Sequence, residues 1–217
     1  MILGDDDVLG DNCIAEFYER IDTIKEIANV IRFASCNIDE NGKEISKVLQ
    51  NPIIESSLDF FFRDRRSSLS EYVFNKSKIS LVGLKNFPLG WCTDILAVLE
   101  VSNFGNVFSI SDAIVYVRIS DKSISGNKAN QKLKSQASFD FLYYLITKKK
   151  RFFNTSQKDK LTKEITGIYL NNKKNIYWFL KLSMFFCNNF LFYDYFNFIK
   201  SILLNVKKKL KKLISEK

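Results

Sequence analysis

The spacing of apolar and polar residues changes near residue 126. Before that point, short β-rich runs alternate with short helical stretches, a pattern typical of an α/β domain. Beyond it, apolar residues recur every three or four positions, which predicts helices near 129–148, 157–170 and 175–214. The pattern therefore predicts an α/β domain over 1–126, followed by an α-helical basic tail over 127–217.

Within the α/β part, residues 1–3 have the character of a strand end, and Asp11 or Asn12 can cap a helix that runs to about Ala28. The predicted buried face of that helix consists of Ile14, Phe17, Ile21, Ile24 and Ile27. Residues 39–42, Asp-Glu-Asn-Gly, have the composition of a hairpin turn. The remaining predicted elements are strands at 29–34, 107–110 and 113–119, short helices at 58–62, 69–74 and 93–99 (the last capped by Thr93), and a loop at 81–88.

The complete absence of histidine narrows the available chemistry. It excludes imidazole bases, Ser–His and Cys–His pairs, and His-ligated zinc. Proton transfer at neutral pH must therefore involve carboxylates, Lys, Tyr, Cys or the substrate. Cys13, Cys36, Cys92 and Cys187 form no CxxC pair, which favours free thiols of a reducing compartment over disulfides. No signal peptide is expected, so a cytoplasmic location is predicted.

The formal charge of +9 is concentrated in the tail. From residue 148 onward there are 17 Lys/Arg and 4 Asp/Glu, whereas the first 147 residues carry 16 and 20. Residues 199–214 form an amphipathic pattern, with an apolar stripe and five lysines within 207–212. Residues 176–198 are too polar for a confident membrane span. Two interpretations of 176–214 stay open: peripheral contact with the inner face of a membrane, and a helical bundle with solvated lysines. No recognition motif supports nucleic-acid binding.

Three adjacent aspartates, Asp5, Asp6 and Asp7, follow the apolar residues Ile2 and Leu3. Charges this close repel one another unless a cation neutralises them. Oxygen ligands without His or Cys suit Mg²⁺ or Mn²⁺. Taken alone, however, the triplet favours a solvated acidic loop before a helix.

The order of the motifs resembles the family 2 glycosyltransferases with a GT-A fold. The acidic strand end Ile2-Leu3-Gly4-Asp5-Asp6-Asp7 is followed by a helix, a strand with an Asn-Gly turn, the motif Trp91-Cys92-Thr93-Asp94, and strands that lead to Arg118. The resemblance covers about residues 1–126. It implies a partial GT-A-like, Rossmann-like sheet with flanking helices.

The resemblance also implies roles for individual residues. Asp7, with Asp5 or Asp6, would correspond to the DxD carboxylates that hold Mn²⁺ or Mg²⁺ against the diphosphate of a nucleotide-sugar donor. Asp94 would be the general base of an inverting transfer; the alternative is a charge at a helix start. Trp91 could form a platform for the acceptor sugar or simply pack in the core. Arg118 could bind the diphosphate or form a strand-edge salt bridge.

The implied function is transfer of a sugar, of the hexosyltransferase type, from a nucleotide sugar to a saccharide or lipid-linked acceptor during surface polysaccharide synthesis. The family's amino-terminal nucleotide-binding half would precede Asp5, so the chain is expected to be truncated and poorly active alone. The alternative is a non-catalytic remnant that acts as a membrane-surface or partner-binding module. Donor sugar, acceptor, linkage and oligomeric state have no signal in the sequence.

Overall fold

The computed structural model describes residues 1–217 apart from 64–66, 121–122, 125, 173–174 and 216–217, and for 205–215 it describes the backbone alone. The chain divides into two compact units, 1–137 and 138–217. The division lies beyond the boundary predicted at residue 126, and the two units are described separately below.

The first unit is built on a mixed five-stranded sheet. Its strands are β1 (Val8–Leu9), β2 (Val30–Ile38), β3 (Ile54–Ser56), β4 (Tyr72–Phe74) and β5 (Asn106–Arg118). One edge of β5 pairs in parallel with β2, and its other edge pairs antiparallel with β3 near its start and with β1 near its end. β4 adds antiparallel to β2. The predicted α/β class is confirmed.

The strands predicted at 107–110 and 113–119 are one continuous strand, β5. Phe33 pairs with Ile110 and the next residue, Ala34, pairs with Ile114, so β5 bulges between these two pairs. The polar residues Ser111 and Asp112 occupy this bulge. Their polarity explains why the apolar pattern suggested a break there.

Four helices accompany the sheet: α1 (Cys13–Ile24), α2 (Ser57–Phe62), α3 (Lys76–Val82) and α4 (Thr93–Val101). α1 packs on one face, where its Cys13 and Ile24 join Phe33 and Val115 in a buried cluster. α2 and α4 cover the other face, in a cluster of Val30, Phe60, Tyr72, Phe74, Ala97, Val98, Val101 and Val107. The sheet is therefore covered by helices on both faces.

Several predicted elements differ in detail. α1 ends at Ile24 and not near Ala28, and Ile14 and Ile27, predicted to be buried, are exposed. The helix predicted at 69–74 is a single 3₁₀ turn at 69–71 followed by β4, because Tyr72–Phe74 pairs antiparallel with β2. Residues 81–82 belong to α3, so the predicted loop begins later.

The second unit contains helices joined by short turns. α5 (Gln131–Lys148) continues into it from the first unit, and α6 (Thr155–Asn171), α7 (Ile176–Asn188) and α8 (Phe192–Ser215) follow. The predicted helix 175–214 is thus two helices, separated at Phe190, whose φ of 56° is left-handed. Aromatic rings fill the interior, and Phe139 stacks on Trp178 with 4.4 Å between ring centroids. Among the described residues, no helix combines the length and apolar character needed to cross a bilayer.

Candidate functional site

Asp7 is held in place at both carboxylate oxygens. Oδ1 accepts a 2.9 Å hydrogen bond from the main-chain N–H of Arg118, and Oδ2 accepts one from the Ser70 hydroxyl. The same Ser70 oxygen accepts a 2.9 Å bond from the Gly4 N–H. A Cβ on Gly4 would lie 2.9 Å from Asp7 Oδ2, so a glycine suits this tight approach. These bonds fix the acidic loop against the end of β5.

Asp5 and Asp6 differ from Asp7 because their side chains are exposed, whereas Asp7 is half-buried. The Arg118 guanidinium donates to the carbonyl oxygens of Asp6 (3.0 Å), Asp39 (2.6 Å) and Glu40 (2.9 Å). Arg118 therefore joins the acidic loop to the turn at 39–42, which forms as predicted. Its contact with a diphosphate stays a prediction.

Asp94 lies in the first turn of α4 and is half-buried. Burial raises the pKa of its carboxyl above the ordinary value, although hydrogen bonds from the Ser67 side chain and from the backbone N–H groups of Asp94 and Ile95 oppose this. The Ser67 hydroxyl also lies 2.7 Å from the hydroxyl of Tyr72. Because an ionised Asp94 can only accept, Ser67 donates to it and accepts from Tyr72.

Tyr72 is completely buried, and burial raises the pKa of its phenol above the usual value. The phenol therefore stays protonated at physiological pH and can serve as the donor to Ser67. The resulting chain of hydrogen bonds runs from Tyr72 through Ser67 to Asp94. This chain of hydrogen bonds begins at a buried residue and holds the Asp94 carboxylate in one orientation.

One short turn contacts both acids. Ser67 hydrogen-bonds to Asp94, and Ser70, three residues later, hydrogen-bonds to Asp7. Three residues of chain span at most about 11 Å. The turn is closed by a capping box, in which the Glu71 carboxylate accepts from the Ser68 N–H at 3.0 Å. The predicted donor-side and acceptor-side acids are therefore anchored to the same segment.

The loop that leads into α4 has an unusual backbone. Leu89 and Cys92 adopt left-handed φ values of 62° and 67°, which are uncommon for residues with a side chain. Cys92 is the residue before the helix, so the prediction that Thr93 caps α4 is wrong. Thr93 is the first helical residue, and its hydroxyl donates to the Lys85 carbonyl at 2.9 Å. This bond ties the start of α4, next to Asp94, to the preceding loop.

Trp91, the predicted acceptor platform, is half-buried in this loop. The ammonium of Lys134 lies 5.0 Å from the centre of its ring, a cation–π distance. One face of the indole is therefore occupied by Lys134. A sugar would have to stack on the opposite face.

The acidic loop satisfies part of what a divalent cation requires. Among the described residues, no group of three or more Cys, Asp or Glu side chains is arranged to hold a metal ion. Mg²⁺ commonly needs only one or two carboxylates when phosphate oxygens and waters complete its shell. Asp7 uses one acceptor position on each oxygen, which leaves others for a cation. Asp7 could therefore share a hard cation with a diphosphate, and Asp5 as the second ligand stays a prediction.

The second unit contains a cavity. It has a volume of ≈ 220 Å³ and lies between α5 and α7, with Tyr143, Lys150, Met184 and Asn189 among its lining residues. The Lys150 ammonium donates to the Asn189 side chain at 3.1 Å. None of its lining residues is a carboxylate, so it offers no carboxylate base.

Comparison of the chain with protein-family models, with curated proteins and with solved structures finds no match. The functional argument therefore depends on the residues and their geometry. Sequence reasoning missed Ser67, Ser70 and Tyr72, which connect the two acids. The hydroxyl-rich run Ser67-Ser68-Leu69-Ser70 was the available signal, but Ser67 lies 27 residues from Asp94 and Ser70 lies 63 residues from Asp7.

Proposed function

We propose that the chain carries the acceptor side and the metal-binding side of a glycosyl-transfer site of the GT-A type. The observation that carries this proposal is the contact of one turn, 67–71, with both Asp7 and Asp94. A metal-bound donor and a base for the acceptor must lie close together in such a reaction. The shared turn provides a rigid connection between the two acids.

On the donor side, Asp7 and Asp5 would hold Mn²⁺ or Mg²⁺ together with the diphosphate of a nucleotide sugar. When bound, the cation neutralises charge that develops on the departing nucleoside diphosphate. Asp7 is positioned for this by Ser70 and by the N–H of Arg118. Arg118 supports the loop through the carbonyl of Asp6 and could also approach the phosphates.

On the acceptor side, Asp94 acts as the general base. The acceptor hydroxyl oxygen forms a bond to the anomeric carbon, the bond from that carbon to the diphosphate oxygen breaks, and the hydroxyl proton passes to the Asp94 carboxylate. A raised pKa makes this carboxylate a stronger base than an exposed aspartate. Ser67 and Tyr72 keep it oriented. Trp91 would contact the acceptor sugar through its free face.

Calorimetric titration tests the donor side without requiring turnover. Mn²⁺ with UDP, and separately with GDP, is titrated into the full chain and into Asp7→Asn. We expect Asp7→Asn to weaken Mn²⁺ binding at least about tenfold, because it removes a charged ligand but keeps an oxygen that can accept from Ser70 and Arg118. Asp22→Asn is the matched control, since Asp22 is 88% exposed on α1.

Asp94→Asn separates the two halves of the proposal. It should leave Mn²⁺ binding unchanged and abolish any glycosyl transfer. Equal Mn²⁺ affinity for the wild-type chain and Asp7→Asn would contradict the donor side. Transfer at the wild-type rate by Asp94→Asn would contradict the acceptor side.

A second candidate function, a non-catalytic binding module, is favoured by a different observation. Large apolar side chains of α7 and α8 are exposed, including Met184, Phe192 and Phe196. These residues belong entirely to the second unit.

A further inference from the structure

Helix α8 carries apolar residues on two opposite sides. On the inner side, Phe198 is buried against Tyr169 (5.3 Å between ring centroids) and Phe186 (5.6 Å). On the outer side, Tyr193, Phe196 and Leu203 are spaced by three and seven residues, which places them along one helical face. A helix that is apolar on both sides is normally covered on both sides.

The outer residues are strongly exposed. Tyr193 is 78% exposed, Phe196 66% and Leu203 58%, and Phe190 in the turn before α8 is 80% exposed. α7 has the same property: Trp178, Leu182, Phe185 and Phe186 face inward, whereas Ile176, Tyr177, Leu180 and Met184 are exposed. We call the exposed apolar residues of 176–204 the outer aromatic surface. Large apolar side chains left exposed on two successive helices indicate an interaction site.

Helix α6 of the same unit lacks this exposed apolar character. Its inner residues, Leu161, Ile165 and Tyr169, are buried in the ordinary way. Its exposed residues are polar or charged and include Lys158, Lys160 and Lys163. α6 therefore has the one-sided pattern of a helix whose outer face contacts water.

The charge around the outer aromatic surface indicates the chemistry of its partner. Residues 148–217 carry 17 Lys/Arg against 4 Asp/Glu, and five of the lysines fall within 207–212 of α8. Lys200 lies on the same helical face as Phe196 and Leu203. A helix that carries both exposed aromatic residues and a lysine cluster matches a bilayer of anionic lipids. Such a bilayer has negatively charged headgroups at its surface and apolar acyl chains beneath them.

We propose that α7 and α8 dock on an anionic membrane surface. The outer aromatic surface enters the boundary between headgroups and acyl chains, and the lysine-rich end of α8 supplies the positive charge that attracts anionic headgroups. Phe suits this depth because its apolar ring can enter the acyl region, and Tyr because its hydroxyl can stay among the headgroups. Lys200 can extend its ammonium to the headgroups while its methylene stem stays in the apolar layer.

Two other occupants fit the observations less well. A second copy of the chain would bring two strongly basic units together, and their like charges would repel. Single-stranded nucleic acid would stack on the aromatic rings but would leave aliphatic Leu180, Met184 and Leu203 in water.

Vesicle co-sedimentation of the full chain tests the proposal. The vesicles are phosphatidylcholine alone or phosphatidylcholine mixed with phosphatidylserine, at low and at physiological ionic strength. We expect binding to the anionic vesicles that weakens as salt increases. The triple variant Lys207→Gln/Lys208→Gln/Lys211→Gln should bind at least about tenfold more weakly. Its matched control is Lys158→Gln/Lys160→Gln/Lys163→Gln on α6, which removes the same charge and should bind as the wild type does.

The apolar contribution is tested separately with Phe192→Ser/Phe196→Ser, which should also lower binding at least about tenfold. Both side chains are exposed, so the fold is retained, and circular dichroism verifies this. The control Leu81→Ser/Val82→Ser removes exposed apolar residues of α3 and should have no effect. Unchanged vesicle binding in either α8 variant would overturn the proposal.

Two further results would also overturn it and identify the other occupants. One is a dimer in sedimentation velocity that Phe192→Ser/Phe196→Ser dissociates, together with no vesicle binding by the wild type. The other is binding to single-stranded RNA that is stronger than binding to anionic vesicles.

Discussion

The Oδ1 atom of Asp7 accepts a 2.9 Å hydrogen bond from the main-chain N–H of Arg118, 111 residues further along the chain. This bond joins the acidic loop to the end of the longest strand of the sheet, β5. The second oxygen of Asp7 is bonded to Ser70, in the turn that also contacts Asp94. The sheet, the loop and the turn are therefore connected through one carboxylate.

Replacement of Asp7 should affect stability as well as ligand binding. Asp7→Ala leaves the Ser70 hydroxyl and the Arg118 N–H without this acceptor, which costs about 1–3 kcal/mol of unfolding free energy. Asp7→Asn keeps an oxygen and should cost less. Urea unfolding followed by circular dichroism measures both. Equal stability of Asp7→Ala and the wild type would show that these hydrogen bonds do not contribute.

Asp94→Asn should stabilise the chain at neutral pH. Burial raises the pKa of Asp94 in the folded state, so the folded protein binds its proton more tightly than the unfolded chain, whose pKa is near 3.8. The contribution of Asp94 to the free energy of unfolding is fully present below pH 3.8, and it is lost as pH rises through the folded-state pKa. Asparagine does not ionise, so Asp94→Asn avoids this loss of stability at neutral pH.

The melting temperature of Asp94→Asn, measured from pH 4 to pH 8, tests this directly. We expect a higher value than the wild type at pH 7, by about 2–4 °C for each kcal/mol gained, with the difference shrinking towards pH 4. A difference that is constant with pH would show that ionisation of Asp94 is not its cause. Loss of transfer activity combined with higher stability would be typical of a functional residue.

Ser67→Ala should perturb both of its partners. The Ser67 hydrogen bond opposes the burial effect on Asp94, so its removal should raise the pKa of Asp94 further. The buried Tyr72 hydroxyl would also lose its 2.7 Å partner, at a cost of about 1–3 kcal/mol. Carboxyl-carbon NMR titration measures the first effect and urea unfolding the second. Ser77→Ala, at an exposed position on α3, is the control.

The ion pair between Arg32 and Glu55 should be a major contributor to stability. Arg32 is completely buried on β2, and its guanidinium bonds to Glu55 at 2.7 Å and to Ser109 at 2.9 Å. Glu55→Gln leaves the buried Arg32 charge without its counter-ion, which should cost about 3–5 kcal/mol. Asp22→Asn, which breaks the exposed pair with Lys25, should cost less than about 1 kcal/mol. Similar losses in both variants would contradict the assigned role of burial.

Local patterns predicted the elements whose apolar spacing was unambiguous. α2 and the turn at 39–42 were predicted correctly, and the tail is helical as predicted, although 175–214 forms two helices. The predicted face of α1 is confirmed for Phe17, Ile21 and Ile24, which pack in the core cluster, whereas Ile14 is exposed and its neighbour Cys13 packs there instead. Apolar spacing alone did not distinguish Ile14 from Cys13 at the start of the helix.

Other features depend on partners that are distant in sequence. Tyr72-Val73-Phe74 is apolar enough for a helix or a strand, and its pairing with Val30, Ile31 and Arg32 decides for a strand. Likewise, the carboxylates Asp7 and Asp94 could be selected from the sequence, but their connection through Ser70 and Ser67 could not. Such long-range hydrogen bonds leave no periodic signal in a single sequence.

The most direct test of the account is paramagnetic broadening by Mn²⁺ in an NMR spectrum of the full chain. Mn²⁺ bound at Asp7 should broaden the amide resonances of the turn 67–71 and of Asp94 and Ile95, and Asp7→Asn should remove this broadening. Mn²⁺ that broadens neither segment, or broadens them equally in Asp7→Asn, would contradict a shared donor and acceptor site.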